Sequence, residues 1–86
     1  LISRTINAMS FVALEGPGTS VAEANVLYLR SRAPVTLELT QKGTPDTVQT
    51  VDVQGVAMIE FDVLKPLKLL RIRGTGPIEY FVGGAQ

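Results

Sequence analysis

Cysteine, histidine and tryptophan are all absent from the sequence. Without cysteine the chain can form neither a disulfide nor a thiolate metal site. Without histidine it lacks the side chain that most often performs general acid–base catalysis, and a Ser-His-Asp triad is excluded. We therefore predict that the protein is not an enzyme, that it has no catalytic residues and that it uses no cofactor.

Neither sign of charge dominates, because eight Lys and Arg residues balance eight Asp and Glu residues. A protein that binds nucleic acid normally presents a basic face, and a neutral chain gives no electrostatic reason to expect one. No apolar run approaches the roughly 20 residues that a membrane-spanning helix needs. We therefore expect neither nucleic acid nor a membrane among the partners of this protein.

The length of 86 residues is that of one domain, and we assign residues 1–86 to a single unit. A domain of this size buries only about 60–65% of the surface of its unfolded chain, so its stability is marginal. Residues 1–5 are expected to form a loose N-terminal arm.

Alternating apolar and polar residues predict a series of short strands, of which Val35 to Lys42 is the clearest. Turn signals such as Gly43–Asp46 and Gln54-Gly55 separate these strands every eight to twelve residues. This spacing predicts an all-β fold, a small antiparallel β-sandwich or barrel of about seven strands, jelly-roll-like. The predicted strands cover residues 6–14, 26–32, 35–42, 47–53, 56–64, 67–73 and 78–83.

The segment Leu67–Gly83 is predicted to be a β-hairpin at the centre of the domain, with its turn at residues 74–77, Gly-Thr-Gly-Pro. Both faces of its strands carry apolar side chains, and such strands are usually covered on both sides. The second cover comes either from another subunit or from the loops of the same chain.

The segment 19–25 is the least regular part of the sequence. Ser20–Glu23 matches a capping box, which would begin a helix, but we favour a loop or brief turn followed by a strand. The glycine-rich segments 16–20 and 74–77 do not match a phosphate-binding loop, and we assign their glycines to turns.

Acidic side chains can serve as metal ligands or as catalytic acids and bases. Glu60 and Asp62 share one strand face, but exposed acids in such a position are usually solvated rather than catalytic. Carboxylates can bind calcium, yet no run of acids here has the spacing of an EF-hand loop, and we predict no metal site. The acids that could supply oxygen ligands for calcium are Asp46, Asp52, Glu60 and Asp62.

Four arginines lie on predicted strand faces. Arg30 and Arg32 share a face with Tyr28, and Arg71 and Arg73 share a face with each other. Arginine beside tyrosine is typical of protein interfaces. The alternative is that these side chains are solvated or form ion pairs on the sheet surface. The acids available for such pairs are Glu38 and Glu79.

The segment Val26–Gly84 contains VLYLRSRAPVTLELT, then VQTVDVQGVAMIEF, then KLLRIRGTGPIEYFVGG. In these stretches it resembles the small β-sandwich structural proteins of tailed bacteriophage virions. The resemblance implies a capsid decoration, fibre or head–tail accessory protein that is oligomeric and has no catalytic residues.

Together these observations predict a non-enzymatic structural protein that is located in a virion and decorates or stabilises a larger protein lattice. The expected partners are other copies of the chain, with a trimer favoured, and a major capsid or other virion protein. The alternative is a carbohydrate- or surface-binding β-sandwich module of an extracellular protein. The predicted interface residues are Leu67, Leu69, Arg71, Arg73, Tyr80 and Phe81.

Overall fold

The computed structural model describes residues 1–14 and 23–84, which form four strands and no helix. The strands are β1 (Ile2–Ala13), β2 (Val26–Gln41), β3 (Thr47–Glu60) and β4 (Leu67–Gly83). They form one antiparallel sheet in the order β1-β4-β2-β3. The prediction of an all-β antiparallel fold is confirmed, and the prediction of seven strands is wrong. In the described ranges no helix is long and apolar enough to cross a membrane.

Three predicted chain breaks lie inside continuous strands. Gln54-Gly55 lies within β3, Ala33-Pro34 lies within β2, and residues 74–77 lie within β4. The segment Leu67–Gly83 is therefore one long strand and not a hairpin. Glycine and proline disturb a regular pleat, but here the neighbouring strands continue the ladder on both sides of each disturbance.

The three disturbances of the pleat lie next to one another across the sheet. Val35 of β2 is opposite Gly74 of β4, and Ser31 is opposite Gly55 of β3. A straight strand of the length of β4 would span about 55 Å, whereas the longest dimension of the molecule is 33 Å. The sheet therefore bends sharply here. We call this the bend line, and it consists of Ala8–Val12 in β1, Ser31–Val35 in β2, Val53–Gly55 in β3 and Gly74–Gly76 in β4.

Glycine is required where β2 and β4 cross the bend line. Gly74 has φ of +143°, and a Cβ atom there would lie 2.9 Å from Cγ1 of Val35 and 3.3 Å from the Pro34 carbonyl oxygen. Ser31, which is buried, donates a hydrogen bond of 2.6 Å from its hydroxyl to the Ala33 carbonyl. The close approach of the two backbones thus depends on the missing side chain at position 74.

The concave face of the bent sheet encloses the core. Alternate residues of each strand point to this face, and both ends of the sheet contribute to one buried cluster. The inward-facing side chains include Ile6, Leu14, Leu27, Leu29, Val35, Leu37, Leu39, Leu67, Leu70, Ile72, Ile78 and Tyr80.

The structure contradicts the expected loose N-terminal arm and leaves most of the predicted 19–25 loop outside the described residues. Strand β1 already begins at Ile2, and residues 2–5 pair with β4, so they do not form a loose arm. Residues Ser20–Ala22 of the capping box, the glycine-rich segment 16–20 and residues 19–22 of the predicted loop lie outside the described residues. Ala24 follows them and forms a β-bridge with Leu67.

The predicted turn Gly43–Asp46 is confirmed, and it connects β2 to β3. Asp46 accepts two hydrogen bonds there: 2.7 Å from Nζ of Lys68 and 2.9 Å from the Gly43 N–H. The hydrogen bond from Lys68, and then that from the Gly43 backbone, lower the pKa of the Asp46 carboxyl below its usual value.

We expect Asp46→Asn to lower Tm slightly at pH 7 and to leave it unchanged at pH 2. A carboxylate with a lowered pKa stabilises the fold above its unfolded pKa of about 3.9, and this contribution is lost as the pH falls through the lower folded pKa. Thermal melts of both proteins between pH 7 and pH 2 measure the difference. A Tm difference that persists at pH 2 would show that the carboxylate charge is not its cause.

Candidate protein-interaction surface

The outer face of the sheet, opposite the core, carries a row of exposed apolar side chains. Tyr28 of β2 is opposite Phe81 of β4 on one side and Met58 of β3 on the other. Phe81 is 46% exposed and Met58 is 65% exposed, while Tyr28 between them is half-buried. We call Met58, Tyr28 and Phe81 the apolar row.

The apolar row is set by the same alternation that builds the core. Tyr28 lies between the buried residues Leu27 and Leu29, so its side chain must point outward. The Phe81 ring lies over Gly83, since a Cβ on this glycine would be 3.1 Å from Cζ of Phe81. Glycine at position 83 thus allows the ring to lie against the sheet.

Ion pairs lie beside the apolar row and beyond the bend line. Arg30 is 2.7 Å from Glu79, which is opposite it in the register. Arg71 Nε is 3.0 Å from Glu38 Oε1, as an ion pair without hydrogen-bond geometry. The alternative that these arginines pair with Glu38 and Glu79 is therefore confirmed. In the described part of the chain, no carboxylate lies within 4.0 Å of Arg32 or Arg73.

Phe11 forms a second aromatic site on the outer face. The guanidinium carbons of Arg73 and Arg71 lie 4.6 Å and 5.6 Å from the centre of its ring, within the range of cation–π attraction. Phe11 belongs to the irregular part of β1 between Ala8 and Val12. Simple alternation does not predict which face such a residue joins, so sequence reasoning missed this contact.

The structure places two of the six predicted interface residues in the core and four on the outer face of the sheet. Leu67 and Tyr80 are 0% and 1% exposed and belong to the core, so a partner cannot reach them and both are removed from the candidate surface. Phe81 and Arg73 are exposed on the outer face, and Leu69 and Arg71 are half-buried there. The bend line separates Phe81 from the other three residues of this outer set. A role for these four residues in an interface remains a prediction.

Leu67 and Tyr80 were misplaced for different reasons. The pairing of β2 with β4 shifts by one residue between Thr40 and Gln41, which brings Leu67 to the inner face with Leu70. Tyr80 shares its face with Ile78 as the alternation predicts, but alternation does not show which face is inward.

Met58 was also missed as a surface residue. It is an apolar side chain among Glu60 and other polar residues on the predicted polar face of its strand. An apolar residue in such a position is the signal that could have identified it.

An open groove of about 530 Å³ lies beside the apolar row. Guanidinium groups, hydroxyls and a carboxylate line it, so it offers both donors and acceptors of hydrogen bonds. Arg4, on its rim, donates a hydrogen bond of 3.4 Å to the buried Tyr80 hydroxyl. The polar side chains that line the groove include Ser3, Thr5, Arg30, Arg32 and Glu79.

Of the four carboxylates that could supply calcium ligands, three accept hydrogen bonds from separate groups. Asp46 binds Lys68, and Asp52 accepts a 2.8 Å hydrogen bond from the Thr36 hydroxyl. Asp62 accepts a hydrogen bond from the Leu64 N–H. Within residues 1–14 and 23–84 no three acids lie close enough to hold one metal ion.

Comparisons with protein-family models, with curated proteins and with solved structures find no match to this chain.

Proposed function

We propose that the chain is a non-enzymatic structural protein of a virion, which decorates or stabilises a larger protein lattice. The observation that carries this proposal is the apolar row of Met58, Tyr28 and Phe81 on the outer face of the sheet, where Met58 and Phe81 are exposed. The resemblance of the segment Val26–Gly84 to small structural proteins of tailed bacteriophages supports the choice of a virion.

Burial of the apolar row against another protein provides the mechanism of attachment. Apolar surface removed from water contributes about 25 cal/mol per Å². Aromatic side chains and arginine are enriched in protein interfaces, and Arg30 and Arg32 lie next to the row. Arg32 is positioned to contact acidic side chains of a partner.

The bent sheet supports the two-layer arrangement that we propose for the domain. Because both ends of the sheet contribute to one core cluster, we propose that the two ends pack against each other as the layers of a small sandwich. The outer face of one layer then carries the apolar row, and that of the other carries Phe11, Arg71 and Arg73.

We infer that the partners are other copies of this chain and a major capsid or other virion protein. A small domain gains stability from such contacts, because anything that binds only the folded state shifts the folding equilibrium.

Purified virions from the source of the chain test the proposal. We expect quantitative mass spectrometry to find the wild-type chain in the particles at a fixed copy number, and Phe81→Asp to reduce that number strongly. A carboxylate at position 81 would be buried without a partner in the interface, which is costly. Circular dichroism should show an unchanged fold, since Phe81 is outside the core.

Val48→Asp is the matched control for this experiment. Val48 is also an exposed apolar residue, 60% accessible, but it is not part of the apolar row. Its copy number in virions should equal that of the wild type. Absence of the wild-type chain from purified virions would contradict the proposal.

The polar groove favours one second candidate, a carbohydrate- or surface-binding module. Hydroxyls and guanidinium groups at Ser3, Thr5 and Arg32 suit the hydroxyls of a sugar. Glycan-array binding that Arg32→Ala abolishes, together with absence from virions, would favour this candidate over the first.

A further inference from the structure

Strand β3 is an open edge of the sheet. In the sheet order β1-β4-β2-β3 it pairs with β2 on one side, and among the described residues no strand pairs with its other side. Its exposed side chains include three apolar ones: Val48, Val56 and Met58, at 60%, 62% and 65% exposure. An edge of this kind presents unpaired backbone groups to solvent together with apolar surface.

Apart from the bend at Val53–Gly55, the edge of β3 lacks the features that normally prevent strands from pairing between molecules. Natural edge strands are protected by lysine, proline, bulges or very short length. The segment Thr47–Glu60 contains no Lys, Arg or Pro, and its only charges are Asp52 and Glu60. The opposite edge, β1, carries Arg4 and the irregularity between Ala8 and Val12. The two edges therefore differ, and β3 is the one open to pairing.

The backbone hydrogen bonds show which groups of β3 point outward. The Leu14 N–H donates to the Leu70 carbonyl at 3.0 Å, so the backbone groups of Leu70 point toward β1. Because these groups alternate in direction along a strand, even-numbered residues of β4 bond to β1 and odd-numbered residues bond to β2. The register then directs the backbone groups of odd-numbered residues of β2 to β3. The Lys42 N–H, directly after β2, donates to the Pro66 carbonyl on the β4 side at 2.9 Å, which agrees with even-numbered residues of β2 bonding to β4. The outward-pointing groups near the end of β3 are those of Val56, Met58 and Glu60.

We propose that β3 pairs antiparallel with β3 of a second copy of this chain, around a two-fold axis at Ala57. This inference rests on the proposed function, in that it names one partner and one contact of the proposed assembly. The pairing of the two β3 strands joins the two sheets edge to edge into one continuous sheet. The neutral net charge of the chain does not oppose the approach of two copies.

The side chains select Ala57 as the centre. With this register Val56 lies opposite Met58 of the second copy, and Gln54 lies opposite Glu60 of the second copy. An axis at Val56 would instead place Asp52 opposite Glu60, and like charges directly opposite each other are destabilising. An axis at Gly55 would place Met58 opposite Asp52. Only the centre at Ala57, among these, pairs apolar with apolar and avoids a like-charge pair.

The proposed pairing also extends the apolar row. Met58 ends the row at the sheet edge, and Val56 of the second copy would lie beside it on the same outer face. Each half of the pair would present the continuous set Phe81, Tyr28, Met58 and the second copy's Val56. The dimer thereby offers a larger apolar surface to a lattice than one chain does.

A disulfide at the two-fold axis tests the register. The odd-numbered Ala57 would form a non-hydrogen-bonded pair with itself, with Cα atoms about 4.5 Å apart, which a disulfide can bridge. Because the chain has no cysteine, Ala57→Cys gives a single reactive thiol. We expect mild oxidation to link most of this variant into dimers on a non-reducing gel, while Thr50→Cys, on the same strand but far from the axis, stays unlinked.

Lysines at the contact test the pairing without cysteine. Val56→Lys combined with Met58→Lys would place like charges opposite each other twice, and we expect the dimer Kd measured by sedimentation equilibrium to rise about tenfold or more. Both positions are exposed, so circular dichroism should be unchanged. Val48→Lys is the control, because it lies on the same edge but outside the paired residues 54–60, and its Kd should equal that of the wild type.

The outcomes separate this contact from the proposed function. A trimeric or monomeric wild-type chain, or oxidation that links Thr50→Cys as readily as Ala57→Cys, would overturn the β3 contact. The copy number of the chain in virions is measured independently of these results. If the chain is incorporated normally while β3 does not self-pair, the proposed function stands and this inference fails.

Discussion

Replacing Tyr80 by alanine is expected to lower the free energy of unfolding by about 3–5 kcal/mol, the usual loss when a buried aromatic side chain is removed. Tyr80 is 1% exposed and is the largest fully buried side chain in the described residues. Its hydroxyl also accepts the hydrogen bond from Arg4. Small domains are stable by as little as about 5 kcal/mol, so this variant should be largely unfolded or close to it.

Two matched variants separate the contributions at this position. Tyr80→Phe keeps the ring and removes only the hydroxyl, at an expected cost of about 1 kcal/mol. Phe81→Ala changes the neighbouring residue, whose side chain lies on the outer face, and should cost less than about 1 kcal/mol. Urea denaturation monitored by circular dichroism measures all three. Equal losses for Tyr80→Ala and Phe81→Ala would show that the two faces of β4 are assigned incorrectly.

Replacing Gly74 by alanine is expected to lower the free energy of unfolding by about 2–5 kcal/mol. A left-handed backbone conformation costs a non-glycine residue about 1–2 kcal/mol, and Gly74 has φ of +143°. The added Cβ would also meet Val35 Cγ1 at 2.9 Å and Val35 Cα at 3.2 Å. Overpacking of this kind costs a further 1–3 kcal/mol, roughly.

Gly55→Ala is the control, because it also forces a positive φ on a non-glycine residue but adds a Cβ that collides with no neighbouring atom. Gly55 also has a positive φ, +87°, but a Cβ there would meet no atom within 4 Å. We expect a loss of about 1–2 kcal/mol. Urea denaturation compares the two variants. If the two substitutions lower the free energy of unfolding equally, the Cβ added at position 74 does not collide with Val35. That result would contradict the close approach of β2 and β4 at the bend line.

The fold class was predictable because the signal for it is local. Alternation in Val35–Gln41 and in Thr47–Val53 requires only that a strand have one buried face, and both segments are strands as predicted. The turn at Gly43–Asp46 was also predictable, since proline, glycine and aspartate together disfavour continued pairing.

The strand number was not predictable, because a turn and a bend have the same local signal. Gln54-Gly55 and the segment 74–77 both interrupt the flat pleat, and each would suit a chain reversal. Whether the chain reverses or bends depends on which strand lies beside it. Val35 opposite Gly74 is a contact between distant parts of the sequence, and single-sequence patterns do not contain it.

The candidate surface was predictable only in part. Periodicity shows that Tyr80 and Phe81 point to opposite faces, but the choice of the inner face depends on the curvature of the whole sheet. Leu67 and Phe11 lie at irregular positions, where alternation fails for one or more residues. The open edge of β3 depends on strand order, which is again set by contacts between distant segments.

The molar mass of the wild-type chain in solution, measured by light scattering after size exclusion over a range of concentrations, tests the central claim most directly. The chain has a mass of 9.2 kDa. If the β3 edge pairs with a second copy as proposed, the mass should rise with concentration to twice that value and stop there. A mass of one chain at every concentration, with a well-folded circular dichroism spectrum, would contradict self-assembly through this edge, and the trimer expected from the sequence would contradict the β3 contact.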